Sequence, residues 1–115
     1  MAISEAFAGS EAVGATTWSM PRDASYSPAS LQTADGVYQL FLDLSDMVGG
    51  DILYVEIKEA VDGSSAFNIY ETILSGPQSP AIWVSPSLII TRDWDMTLDA
   101  LAGTITVTWS IRKVA

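Results

Sequence analysis

"GTITVTWSIRKV", residues 103–114, sets Ile105, Val107, Trp109 and Ile111 against Thr104, Thr106, Thr108, Ser110 and Arg112. Extended chain sends alternate side chains to opposite faces, so this stretch reads as a half-buried antiparallel strand with a threonine-rich outer face. "GVYQLFLDL" at 36–44 repeats the scheme, with Tyr38, Leu40, Leu42 and Leu44 on one face. Its other face, Val37, Gln39, Phe41 and Asp43, is mixed. "DILYVEIKE" at 51–59 turns Leu53, Val55 and Ile57 inward and Tyr54, Glu56 and Lys58 outward, with Gly49-Gly50 as the corner between the two strands. Asp62-Gly63 precedes "AFNIYETIL" at 66–74. That dipeptide suits a type I′ turn, whose central positions both need positive φ, so 51–74 is expected to be a hairpin.

Pro77, Pro80 and Pro86 punctuate two short apolar runs, 81–84 and 87–90. Proline donates no ladder hydrogen bond, which confines these runs to sheet edges. "DWDMTLDAL" at 93–101 places Trp94, Met96 and Leu98 on one strand face or Trp94, Leu98 and Leu101 on a helical one, its brevity and the Ala102-Gly103 turn favouring strand, and "ATTWSMP" at 15–21 supplies the first β-type run. About eight short strands bounded by turn signals, with no helix, predict an all-β fold: an antiparallel β-sandwich of jelly-roll type over residues 15–115. Residues 1–14 differ in texture. "SEAFAGSEAVG" at 4–14 is mostly small residues, with Ile3, Phe7 and Val13 as the larger apolar groups nearby and no sustained period. It is expected to form an extended or flexible N-terminal arm that adds to a neighbouring sheet edge or lies between subunits, using Ile3, Phe7 and Val13 as anchors. Removing it should then leave the β domain folded and weaken attachment to a partner.

A chain of 115 residues makes one domain. A domain of that size buries roughly 60–70% of its unfolded surface. With no cysteine and no histidine, disulfides, thiolate chemistry and imidazole-based catalysis or metal binding have no residues to work with. Glu56, Glu59 and Glu71 are the candidates for a carboxylate pair, but glutamates facing outward from strands are ordinarily solvated, so no enzyme and no cofactor is expected. Two acid clusters, Asp43, Asp46 and Asp51, and Asp93, Asp95 and Asp99, match no calcium-loop spacing and read as turn and strand-entry residues. A net charge of −9 repels phosphate backbones, which argues against a nucleic-acid partner. The apolar runs are too short for a membrane span and no basic leader opens the chain, so no membrane partner is expected. Of the four tryptophans, Trp109 belongs to the core. Trp83, set between prolines, is expected to be the most exposed, and Trp83 or Tyr70 would be the stacking platform of a carbohydrate-binding, lectin-like module.

Four stretches carry a resemblance: "TADGVYQLFLDLSDMVGGD" at 33–51, "IYETILSGPQSPAIWVSPSLII" at 69–90, "DWDMTLDALAGT" at 93–104 and "WSIRKVA" at 109–115. Taken together they resemble small virion structural proteins of tailed bacteriophages, over a region from about Thr16 onward, with residues 1–14 outside it. The resemblance implies a capsid decoration or cement protein on the outer surface of the virion, or a tail or neck component. Its partner would be the major capsid protein. Symmetric attachment multiplies weak contacts, so self-association is also expected, as a trimer ahead of a dimer. The carbohydrate-binding module is the rival reading.

Overall fold

A computed structural model describes residues 2–114. Among the described residues ten strands follow one another: β1 (Ile3–Val13), β2 (Trp18–Ser19), β3 (Ala24–Ser25), β4 (Gly36–Asp43), β5 (Ile52–Glu59), β6 (Phe67–Ser75), β7 (Ile82–Val84), β8 (Leu88–Ile90), β9 (Trp94–Ala102) and β10 (Ile105–Val114). The two beyond those expected are β1 and the two-residue β3. All pairings are antiparallel. The first sheet runs β1-β10-β4-β7, with β8 also on β4, and the second runs β3-β2-β9-β5-β6.

The pairs are nested. Innermost is β5 with β6, then β4 with β7 and β8, then β2 with β9, and outermost β1 with β10. Successive pairs alternate between the two sheets. A long hairpin rolled in this way is a jelly roll, which is the expected fold.

Alternation fixes the core between the sheets. Leu40, Leu42, Leu53, Val55, Ile57, Met96, Leu98, Ile105, Val107 and Ile111 have no solvent exposure. Each such aliphatic side chain stabilises the fold by about 1.5–3 kcal/mol relative to leaving it in water. Trp94 and Trp109 are the largest buried side chains. The Trp94 indole lies 4.6 Å from the Tyr38 ring and meets Phe7 edge-on at 6.1 Å. The Trp94 indole N–H and the Tyr38 hydroxyl both donate to the Ala34 carbonyl, each at 2.9 Å, so neither large ring buries an unpaired donor.

The expected arm is a correction. Residues 3–13 form β1, paired with β10 from Ile3↔Val114 to Val13↔Ile105 and shifted once between Glu5 and Phe7. Past that bulge, Phe7, Gly9 and Val13 face inward, and Val13 is 1% exposed in the core. The domain boundary expected at residue 14 is therefore internal to the sheet. The physical reason is Trp109. Gly9 sits opposite it, and a Cβ at Gly9 would stand 2.7 Å from its Cζ2. The segment's small residues let its own backbone close over this indole.

The hairpin expected over 51–74 forms, but Asp62-Gly63 does not make a two-residue turn. The Asp62 carboxylate accepts from the backbone N–H groups of Ser64 and Ser65 at 2.9 and 3.0 Å, rounding a longer loop in which Gly63 has φ +78°.

Because β1 completes the core, a chain lacking residues 1–14 should lose its cooperative thermal transition and near-ultraviolet circular dichroism, reversing the expectation for a detachable arm. Gly9→Ala should cost about 1–3 kcal/mol through overpacking against Trp109, read as a lower Tm by calorimetry.

Candidate interaction face

The outer face of the first sheet sets a group of exposed aliphatic side chains beside the threonines of β10 and beside Gln39 and Asp43 of β4. Register puts Ile3 on β1, Val37 and Phe41 on β4, Ile82 and Val84 on β7, Ile89 on β8 and Val114 on β10 on this one side. Ile3, Ile82, Val84 and Ile89 are 69, 49, 43 and 78% exposed. Across the middle, the Arg112 guanidinium stacks 3.8 Å above the Phe41 ring, a cation–π contact. The Arg112 Nε–H reaches the Ser110 hydroxyl at 3.3 Å, and that hydroxyl donates to the Glu5 carboxylate at 2.5 Å. Phe41 and Arg112 thus stand as a ridge between two shallow depressions. One, about 630 Å³, is lined by Ala8, Ser10, Phe41, Ile82, Thr108 and Arg112 among others. The other, about 140 Å³, involves Ile3, Val37, Phe41, Arg112 and Val114.

Over β5 and β9 the outer face of the second sheet is polar and closed on itself, with Ile73 of β6 exposed at its rim. The Lys58 ammonium meets the Glu56 carboxylate and the Asn68 carbonyl, each at 3.0 Å, and the Asn68 amide donates to Glu56 at 2.9 Å. The Tyr54 hydroxyl donates to Glu71, which pushes the phenol's pKa up to about 12. Beneath this layer lies Asp95, with no solvent exposure. Its Oδ1 accepts from the Ser19 hydroxyl and the Met96 N–H, both at 2.8 Å, while Oδ2 has no partner among the described residues. Burial raises the Asp95 pKa to about 6 against the pull of those two hydrogen bonds. The network fastens β2, β9, β5 and β6 to one another, so Glu56, expected to be solvated, is buried at 8% exposure.

Of the four residues expected to form the interaction surface, only Ile3 lies on the apolar face. Phe7 packs inward on Trp94, and Val13 is core. Trp83 is opposite Leu42, which turns it inward, where it lies partly buried 6.4 Å from Tyr70. These two rings close the side of the sandwich and do not stand out as a platform. The exposed side chains are the neighbours of Trp83, Ile82 and Val84. Phe41, Arg112 and Ile89 were not anticipated, and the signal for them was the apolar pair Val37 and Phe41 on the outward face of 36–44. The acid clusters serve local structure. Asp43 accepts from the Ser45 N–H, Asp46 from Thr106 and Asp51 from Val48. Among the described residues no three acidic side chains converge to hold a metal ion.

No protein-family model matches the chain. No curated protein matches it. Among solved structures, a mitogen derived from Yersinia pseudotuberculosis is similar in fold, with a TM-score of 0.49, 8% identity, and coverage of 99% of this chain and 86% of that one. RmlC from Streptococcus suis, solved in complex with dTDP-D-xylose, gives a TM-score of 0.43 and 9% identity, covering 98% of this chain and 44% of that one.

Asp95 should make stability pH-dependent in an unusual sense. An unfolded aspartate titrates near 3.9, whereas this one holds its proton to about 6 in the native state. Between those values the folded chain binds a proton that the unfolded chain has released. Stability from this group is therefore full below about pH 4 and is lost as pH rises to about 6, by up to about 3 kcal/mol. Asp95→Asn should remove that slope, checked by comparing urea midpoints of the two proteins across the range.

Proposed function

We propose that this protein is a structural component of a tailed-bacteriophage particle, a capsid decoration protein that lays the outer face of its first sheet on the major capsid protein. The observation that carries the reading is that face: a broad surface with Ile3, Ile82, Val84 and Ile89 in water, centred on the Phe41–Arg112 ridge. Contiguous apolar exposure of this kind is the mark of a protein-binding surface. The sequence resemblance from about Thr16 onward supplies the biological setting. The jelly roll serves capsid, lectin and cupin proteins alike, so the surface and not the fold supports the choice.

The physical task is adhesion. A decoration protein holds neighbouring shell subunits against internal pressure by contact area repeated over many symmetric sites. A net charge of −9 suits the outside of the shell, because packaged nucleic acid on the inside would repel it. Apolar contact at the first sheet supplies affinity that does not depend on the charge of the shell, and Arg112 offers a planar donor for a carboxylate at its centre.

Ile89→Asp and Ile82→Asp should fold normally and weaken binding to purified shells by about tenfold or more each, since every 1.4 kcal/mol is tenfold. Co-sedimentation with particles lacking the protein reads this out. Wild-type protein that fails to sediment with shells, or particles whose composition and heat resistance are unchanged without the gene, would overturn the proposal.

A further inference from the structure

The four sheet edges are defended unequally. On the first sheet, β1 carries Glu5 and Glu11, and β7 and β8 are three-residue strands beside Pro80 and Pro86. On the second, β3 has two residues. The remaining edge, β6, is nine residues long, has no proline or lysine, and among the described residues is hydrogen-bonded only on its β5 side. Phe67, Ile69 and Ile73 stand 67, 36 and 58% exposed along it. Its one charge, Glu71, is drawn toward β5 by the Tyr54 hydroxyl. One bulge, at Ile69, interrupts β6, and the regular run beyond it, without proline or lysine, is a template for another strand.

We propose that β6 pairs antiparallel with β6 of a second copy about a two-fold axis, joining two five-stranded sheets into one of ten. Charge selects the occupant. Between Asp62 and Arg92 the chain has a single charged residue, Glu71, although it carries 14 acids against 5 bases overall. Two copies at −9 each meet with least repulsion through this side. A basic partner would be drawn to the acidic surfaces elsewhere.

The registers that separate the two Glu71 side chains pair seven residues of each β6, a span of about 24 Å. With the molecule's shortest extent of 20 Å, the side presents about 500 Å² per copy, and the resulting total of about 1,000 Å² is the size of a weak, reversible interface. Registers centred on Tyr70 or Thr72 set Glu71 opposite Ile69 or Ile73, whereas one centred on Glu71 sets like charges together and is disfavoured. Pairing about a two-fold closes at two copies, so the self-association it gives is a dimer and not a trimer. The pairing uses the second sheet and leaves the outer face of the first uncovered, so it stands whether or not that face binds a shell.

Sedimentation velocity of the full chain over a concentration series tests it, with Ile73→Lys and Phe67→Lys on β6 and Ile89→Lys on the first sheet. The expected result is a reversible dimer whose Kd rises by about tenfold or more in both β6 variants, with Tm unchanged at monomeric dilution, and is unaffected by Ile89→Lys. Hydrogen exchange of the wild-type protein gives a readout that needs no variant: amide protection over 67–75 should increase with concentration. A chain that stays monomeric throughout, forms trimers, or dimerises with no change in β6 protection overturns the proposal.

Discussion

The fit of Gly9 against the Trp109 indole is the contact on which the rest of the molecule rests. β10 lies between β1 and β4, and Trp109 is near its middle, opposite Gly9 on one side and Leu42 on the other. The indole fills the space between sheets only because the residue across from it has no side chain. Its N–H finds no partner among the described residues. A buried unpaired donor costs about 1–3 kcal/mol, so the indole is held there by packing alone. Closing β1 over it seals Val13 and Phe7 into the same core, and the nested strand order follows from that outer seam.

The two outer faces divide polar and apolar character in a way that the strand alternation does not by itself dictate. On the second sheet the polar side chains pair with each other, and Glu56, Lys58, Asn68 and Thr97 satisfy one another beneath very little solvent. On the first sheet Glu5, Ser110 and Arg112 link along one line, the Thr108 hydroxyl donates to Ser10, and Ile3, Ile82, Val84 and Ile89 stay in water. One face is chemically satisfied and the other is left seeking contact. That asymmetry is the physical content of the adhesive role proposed here.

Most strands were legible because their alternation is clean. In β4, β5, β9 and β10 the inward residues are those the two-residue period selects. β1 was not legible because its period is carried by Phe7, Gly9, Glu11 and Val13, where a glycine and a glutamate occupy positions that ordinarily hold apolar groups. Trp83 was misplaced because flanking prolines say that a strand is at an edge, and only the pairing with Leu42 says which way it faces. The interaction face was hidden for a related reason. It is assembled from single residues on five strands, Ile3, Phe41, Ile82, Ile89 and Val114, none of which is conspicuous in its own segment.

The outermost seam also sets a timetable for biosynthesis. β1 leaves the ribosome first and its partner β10 about a hundred residues later, a wait of about 5–20 s at ordinary elongation rates. Throughout that interval the nascent chain exposes a strand whose mate does not yet exist. A greasy segment in this position would seek other chains on the same polysome. The alanines, serines and paired glutamates of β1 keep it inert until the last strand arrives, so the composition that disguises it as a tail is also what lets it wait.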